Sequence, residues 1–70
     1  MSVLSVVLPA YNEELMIQKT CSVLRQILTE AEIEYELVLV DDGSRDRTWN
    51  EIEKAGKEDT HILGVHFSRN

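Results

Sequence analysis

The apolar positions of this chain alternate between two rhythms. Val3 to Leu8 is a short, nearly unbroken apolar run, the pattern of a strand buried on both faces, and Pro9 is expected to stop it. From Glu13 to about Ala31 the period changes. Ile17, Cys21, Leu24, Leu28 and Ala31 recur at three and four residues with Met16, Thr20, Val23 and Ile27 beside them, which predicts an amphipathic helix. Asn12 is positioned to cap it, and Glu13 and Glu14 fall in the first turn, where the helix dipole favours negative charge. Tyr35 to Val40 is a second apolar run and ends at Asp41-Asp42-Gly43-Ser44, a cluster of turn formers. Asp46 or Ser44 can cap a second helix, in which Trp49, Ile52 and Ala55 or Gly56 make the apolar stripe. His61 to Phe67 reads as a third strand.

The predicted order is βαβαβ with short connections. Such an order implies parallel strands, right-handed crossovers and helices covering the sheet: an α/β fold, the first half of a doubly wound, Rossmann-like sheet. Ligands of these sheets bind beyond the carboxyl ends of the strands, where the loops Pro9 to Asn12 and Asp41 to Asp46 both fall.

Size and charge narrow the partners. The 70 residues make one small unit, and a chain of this length has a marginal core. A net charge of -6 without a Lys/Arg cluster argues against nucleic acid or an anionic membrane surface. With Cys21 as the sole cysteine no internal disulfide forms, and no apolar run approaches the roughly 20 residues of a membrane span. The chain reads as cytoplasmic.

Several chemistries fail at the loops. The first strand-to-helix turn, Pro-Ala-Tyr-Asn-Glu-Glu, has no glycine for a dinucleotide or P-loop phosphate, and its glutamates repel one. No nucleophile, histidine and acid set of triad type is present. Asp42, Ser44, Asp46 and Glu53 fit positions one, three, five and twelve of a calcium loop, but Arg47 takes the place of its obligatory glycine. A phosphoacceptor receiver domain would carry paired carboxylates after its first strand, whereas here they follow the second. His61 and His66 lack partners at metal-ligand spacing, and Cys21 and Trp49 fall on core stripes. What remains is an aromatic ring, Tyr11, beside the carboxylates Asp41 and Asp42. A flat base can stack on the ring, and a carboxylate can accept the ring N–H of uracil or guanine, which adenine and cytosine lack.

"VVLPAYNEE", "LVLVDDGSRDRT" and "FSRN" at these spacings resemble the N-terminal part of family 2 glycosyltransferases of the GT-A fold. The closing Phe-Ser-Arg-Asn is similar to the polyprenyl-phosphate subgroup, which includes dolichyl-phosphate mannose synthase. The resemblance covers residues 1–70 and implies the nucleotide-binding part of a longer domain. It implies that Pro9, Ala10, Tyr11 and Glu13 border the nucleoside, with Tyr11 against the base, that Asp41 accepts the base N–H and that Asp42 shapes the same pocket. It further implies a nucleotide-diphosphate sugar as donor, a lipid-phosphate acceptor and a divalent metal, Mg or Mn. The ligands of that metal belong to a DXD motif absent from this chain. A full-length protein of this kind is expected at a membrane with its catalytic domain in the cytoplasm. Arg69 could approach a diphosphate or lie on the surface. The alternative is a non-catalytic interaction module that self-associates through the free edge of its first strand.

Overall fold

A computed structural model describes residues 3–67, in the order β1 (Leu4–Ala10), α1 (Ile17–Glu30), β2 (Tyr35–Asp42), α2 (Thr48–Glu58) and β3 (Ile62–Phe67). The three strands form one parallel sheet in the order β1-β2-β3. Each crossover steps the same way along the sheet, so right-handed connections put both helices on one face. This is an α/β unit with the architecture of half a Rossmann-like, GT-A sheet.

The single helical layer corrects the expectation of strands buried on both faces. Burial alternates along β2: Tyr35, Leu37, Leu39 and Asp41 are buried, while Glu36, Val38, Val40 and Asp42 are half-buried. On β1, Val6, Leu8 and Ala10 turn inward and Val7 is 62% exposed. One core cluster joins Ala10 and Leu39 to Ile17 and Cys21 of α1 and Ile52 and Ala55 of α2; a second joins Leu28, Tyr35 and Leu37. Full burial of side chains such as Leu37, Leu39 and Ile52 contributes about 1.5–3 kcal/mol each.

Pro9 does not stop β1, which continues to Ala10. Among the described residues β1 is an edge strand, and only there is the missing N–H of a proline compatible with a continuous ladder. β2 likewise runs through both carboxylates to Asp42, paired with Phe67 of β3.

Helix α1 begins later than its apolar period suggests. Glu14 to Met16 form a turn closed by the Met16 N–H on the Glu13 carbonyl, and no side chain of its own caps the helix. Its other end is a Schellman motif, with the Ile33 N–H on the Leu28 carbonyl (3.0 Å) and the Glu32 N–H on the Thr29 carbonyl (3.1 Å). Glu32 occupies the left-handed position of that motif, with φ 57°, where glycine is the usual residue.

Gly64 of β3 marks the closest approach of α2 to the sheet. A Cβ built there would stand 2.6 Å from the Ile52 Cγ2 and 3.0 Å from the Trp49 ring. Only a residue without a side chain lets these two lie on the strand.

Candidate functional site: a cleft at the carboxyl ends of the strands

Parallel pairing brings the ends of β1, β2 and β3 to one edge, and their alternation decides what faces the open side of the sheet. Val40 and Asp42 stand two residues apart on β2, opposite Pro9 of β1 and Phe67 of β3 respectively. With Ala10 and Tyr11 these four residues line a cleft of about 690 Å³. Tyr11 is 52% exposed and the cleft is mixed: an aromatic ring, aliphatic walls and one carboxylate. Stacking and a single directional hydrogen bond are what such a surface offers a flat heterocycle.

The loop that carries Tyr11 and the loop that follows Asp42 are laced together. Ser44 Oγ accepts the Asn12 N–H (2.9 Å), Thr48 Oγ1 accepts the Glu13 N–H (2.7 Å) and Asp46 Oδ2 accepts the Glu14 N–H (3.3 Å). In return Asn12 Oδ1 accepts the Arg45 N–H (2.9 Å). The amides ahead of α1 are therefore capped by side chains of the second loop, and Asn12 serves that loop instead of capping its own helix. Asn12 takes a left-handed φ of 51° and Gly43 one of 75°, conformations that asparagine and glycine adopt readily. At the start of α2, Asp46 Oδ1 accepts both the N–H (2.9 Å) and the hydroxyl of Thr48. That hydroxyl holds the Asp46 carboxyl below the ordinary aspartate range, outweighing its desolvation, and the Thr48 and Glu14 amides act in the same direction. Gln18 Nε2 ties α1 to the Glu51 carbonyl of α2 at 3.0 Å.

The paired carboxylates part company. Asp42 looks into the cleft, while Asp41 is wholly buried on the helical side, where Oδ1 accepts the Ser44 N–H at 3.0 Å. Asp41 Oδ2 lies 3.6 Å from His66 Nε2, and the His66 ring stacks on Trp49 with centroids 4.6 Å apart. Of the residues expected around a nucleoside, Pro9, Ala10, Tyr11 and Asp42 come together. Asp41 does not reach the cleft, because successive residues of a strand face opposite sides. Glu13 is exposed and meets the second loop through its backbone amide, which donates to Thr48 Oγ1. Arg69, with the Ser-Arg-Asn of the closing motif, lies outside the described residues.

Val40, Phe67 and Thr48 were not singled out by sequence. For Val40 the signal was available in the alternation that carries Val38, Val40 and Asp42 along one face of β2. Phe67 needs the register of β3 against β2. Thr48 needs the contact between the loops.

Away from the cleft, His61 stacks on Tyr35 (4.4 Å) and its Nδ1 lies 2.7 Å from Asp59 Oδ1. Burial would raise the Asp59 carboxyl, but hydrogen bonds from the His61 amide and ring, with the charges of His61 and Arg25, bring it below its ordinary value. Burial and then the Asp59 charge push the Cys21 thiol up, as befits a core residue. Among the described residues no three His, Cys, Asp or Glu side chains are grouped to hold a metal ion. No helix among them is long and apolar enough to cross a membrane.

Known proteins share this arrangement of sequence. An undecaprenyl-phosphate 4-deoxy-4-formamido-L-arabinose transferase of Shewanella sediminis is 43% identical over 67 residues, covering 94% of this chain and 20% of that protein. The uncharacterized glycosyltransferase YkcC of Bacillus subtilis is 38% identical over 66 residues, with the same two coverages. The uncharacterized glycosyltransferase sll0501 of Synechocystis is 37% identical over 67 residues, covering 96% of this chain and 21% of that protein. The chain thus spans about a fifth of the length of these relatives. The family model of glycosyl transferase family 2 matches residues 5–70, from β1 through the closing motif, and the chain belongs to that family.

Proposed function

We propose that this chain supplies the donor-nucleotide cleft of an inverting glycosyltransferase that moves a sugar from a nucleoside diphosphate to a polyprenyl phosphate. The observation that carries the reading is the meeting of Tyr11 and Asp42 in one cleft beyond the carboxyl ends of the strands. Tyr11 stacks on the base, and the Asp42 carboxylate accepts a ring N–H, so uracil or guanine is favoured over cytosine or adenine. Asp42 takes this role in place of Asp41, and Pro9, Val40 and Phe67 form the apolar wall. Glu13 acts by fixing the loop through its backbone amide.

The acceptor class rests on similarity to undecaprenyl-phosphate transferases. In the transfer an oxygen of the lipid phosphate forms the bond to the anomeric carbon. The bond from that carbon to the donor diphosphate breaks, its electron pair leaves with the nucleoside diphosphate, and the configuration inverts. A lipid acceptor sets this reaction at a membrane surface. The residues described here bind and orient the base, and the ligands of the divalent metal, Mg or Mn, lie elsewhere in the longer protein.

The test is an amide NMR titration of the protein with uridine, guanosine and adenosine diphosphates. Saturable shifts at Tyr11 and Asp42 with uridine or guanosine diphosphate, and none with adenosine diphosphate, are expected. Equal responses to all three, or none, would overturn the reading.

A second reading, association of two copies through the free edge of β1, is favoured by the exposed apolar residues Leu4, Val7, Met16 and Val23 on and beside that strand. Sedimentation equilibrium decides it: a mass independent of concentration and equal to the monomer excludes it.

A further inference from the structure

Asp41 presents a physical puzzle: a carboxylate with no exposed surface, on the side of the sheet away from the cleft. Burying a carboxylate costs several kcal/mol unless its oxygens are satisfied. Oδ2 has no hydrogen-bond partner among the described residues, and His66 Nε2 at 3.6 Å is beyond hydrogen-bond range. An apolar residue of similar size would serve the core at lower cost. What such a residue could not do is hold the Ser44 amide, and that amide opens a short relay. Asp41 Oδ1 accepts the Ser44 N–H, Ser44 Oγ accepts the Asn12 N–H, and Asn12 Oδ1 returns to the Arg45 N–H, next to Ser44. The relay ends one peptide bond from Tyr11, at a residue with a left-handed backbone. Its other end begins one peptide bond from Asp42. Both cleft groups are thereby tied to one buried anchor.

We infer that Asp41 is a positioning residue of the cleft, fixing the Tyr11 loop through Ser44 and Asn12 without touching a ligand. The inference rests on the cleft being the base site for its functional meaning, and on the relay alone for its geometry. Trp49 and His66, stacked beneath, close the helical side of the anchor.

Amide hydrogen exchange of the nucleotide-free protein, followed by uridine diphosphate titration, tests it in Asp41→Ala, Asp41→Asn and Ser44→Ala. Asp41→Ala should speed exchange at Asn12, Ser44 and Arg45 by roughly tenfold, the cost of a lost buried acceptor, and weaken nucleotide binding by a similar factor. Leu37 and Leu39 in the middle of β2 should stay protected. Asp41→Asn keeps an oxygen for the Ser44 N–H and should restore both loop protection and binding. Ser44→Ala, which leaves the buried site alone, should free the Asn12 amide and not its own. Loop amides unchanged in Asp41→Ala, or exchange raised equally at Leu37 and Leu39, would overturn the proposal. If the wild-type protein ignores uridine diphosphate while the loop amides still respond selectively, base recognition falls and the positioning of the loop by Asp41 stands.

Discussion

Asp41 and Asp42, neighbours in sequence, face opposite sides of the sheet: one is wholly buried beneath the helices and holds a loop amide, the other lines the cleft with Tyr11. The two carboxylates have separate tasks, and the consequences of changing them differ.

Tyr11 supplies the stacking surface. Tyr11→Ala should weaken uridine or guanosine diphosphate binding by about 1–3 kcal/mol, the range for loss of one base–aromatic stack, and Tyr11→Phe should bind nearly as well as the wild type. Isothermal calorimetry on the three proteins checks this. The side chain is half exposed, so thermal stability should fall only slightly in Tyr11→Ala and stay unchanged in Tyr11→Phe.

Thr48 joins both loops from a fully buried position, accepting the Glu13 amide and donating to Asp46. Thr48→Val keeps the shape and removes both bonds, leaving a donor without its partner. A loss of about 1–3 kcal/mol in urea unfolding is expected.

The end of α1 offers a gain. Glu32 sits in a left-handed conformation that costs a residue with a Cβ roughly 1–2 kcal/mol, and glycine avoids the cost. Glu32→Gly should raise stability by about 1 kcal/mol in the same unfolding experiment, less whatever entropy the more flexible unfolded chain recovers.

Gly64 lies under Ile52 and Trp49 with no room for a methyl group. Ile52 is buried and branched at the contact, and the indole is rigid, so neither gives way cheaply. Gly64→Ala should cost about 1–3 kcal/mol, and near-ultraviolet circular dichroism of Trp49 should report the displaced ring.

The order of elements was legible from apolar period alone because strands and helices of this fold differ so plainly in rhythm: β2 shows as the run Tyr35 to Val40 around Leu37 and Leu39, α1 as a stripe through Ile17, Cys21, Leu24 and Leu28. Boundaries and capping were less legible. Glu13 to Met16 have helical composition, yet the Glu13 and Glu14 amides are claimed by Thr48 and Asp46, 35 and 32 residues away, and no local signal announces so distant a partner. The one-sided burial of the sheet is hidden in the sequence for a related reason. Val7, Val38 and Val40 are apolar on the open face as well, so the runs read as buried on both sides. A cleft lies where the strand order places the carboxyl edge, but which of two adjacent aspartates faces it depends on strand phase, and the apolar run of β2 ends at Val40. Extending it by two residues sets the phase and sends Asp41 inward.

As proposed above, the Asp42 carboxylate reads a base N–H beside Tyr11. Calorimetric affinities for uridine and cytidine diphosphates, measured on the wild type and on Asp42→Asn, test it most directly, since the two nucleotides share sugar and phosphates and differ in the presence of that N–H. The wild type should prefer uridine diphosphate by roughly tenfold or more, and Asp42→Asn, whose amide can accept from uracil or donate to cytosine, should lose the preference. Equal affinities in the wild type, or a preference that survives in Asp42→Asn, would contradict it.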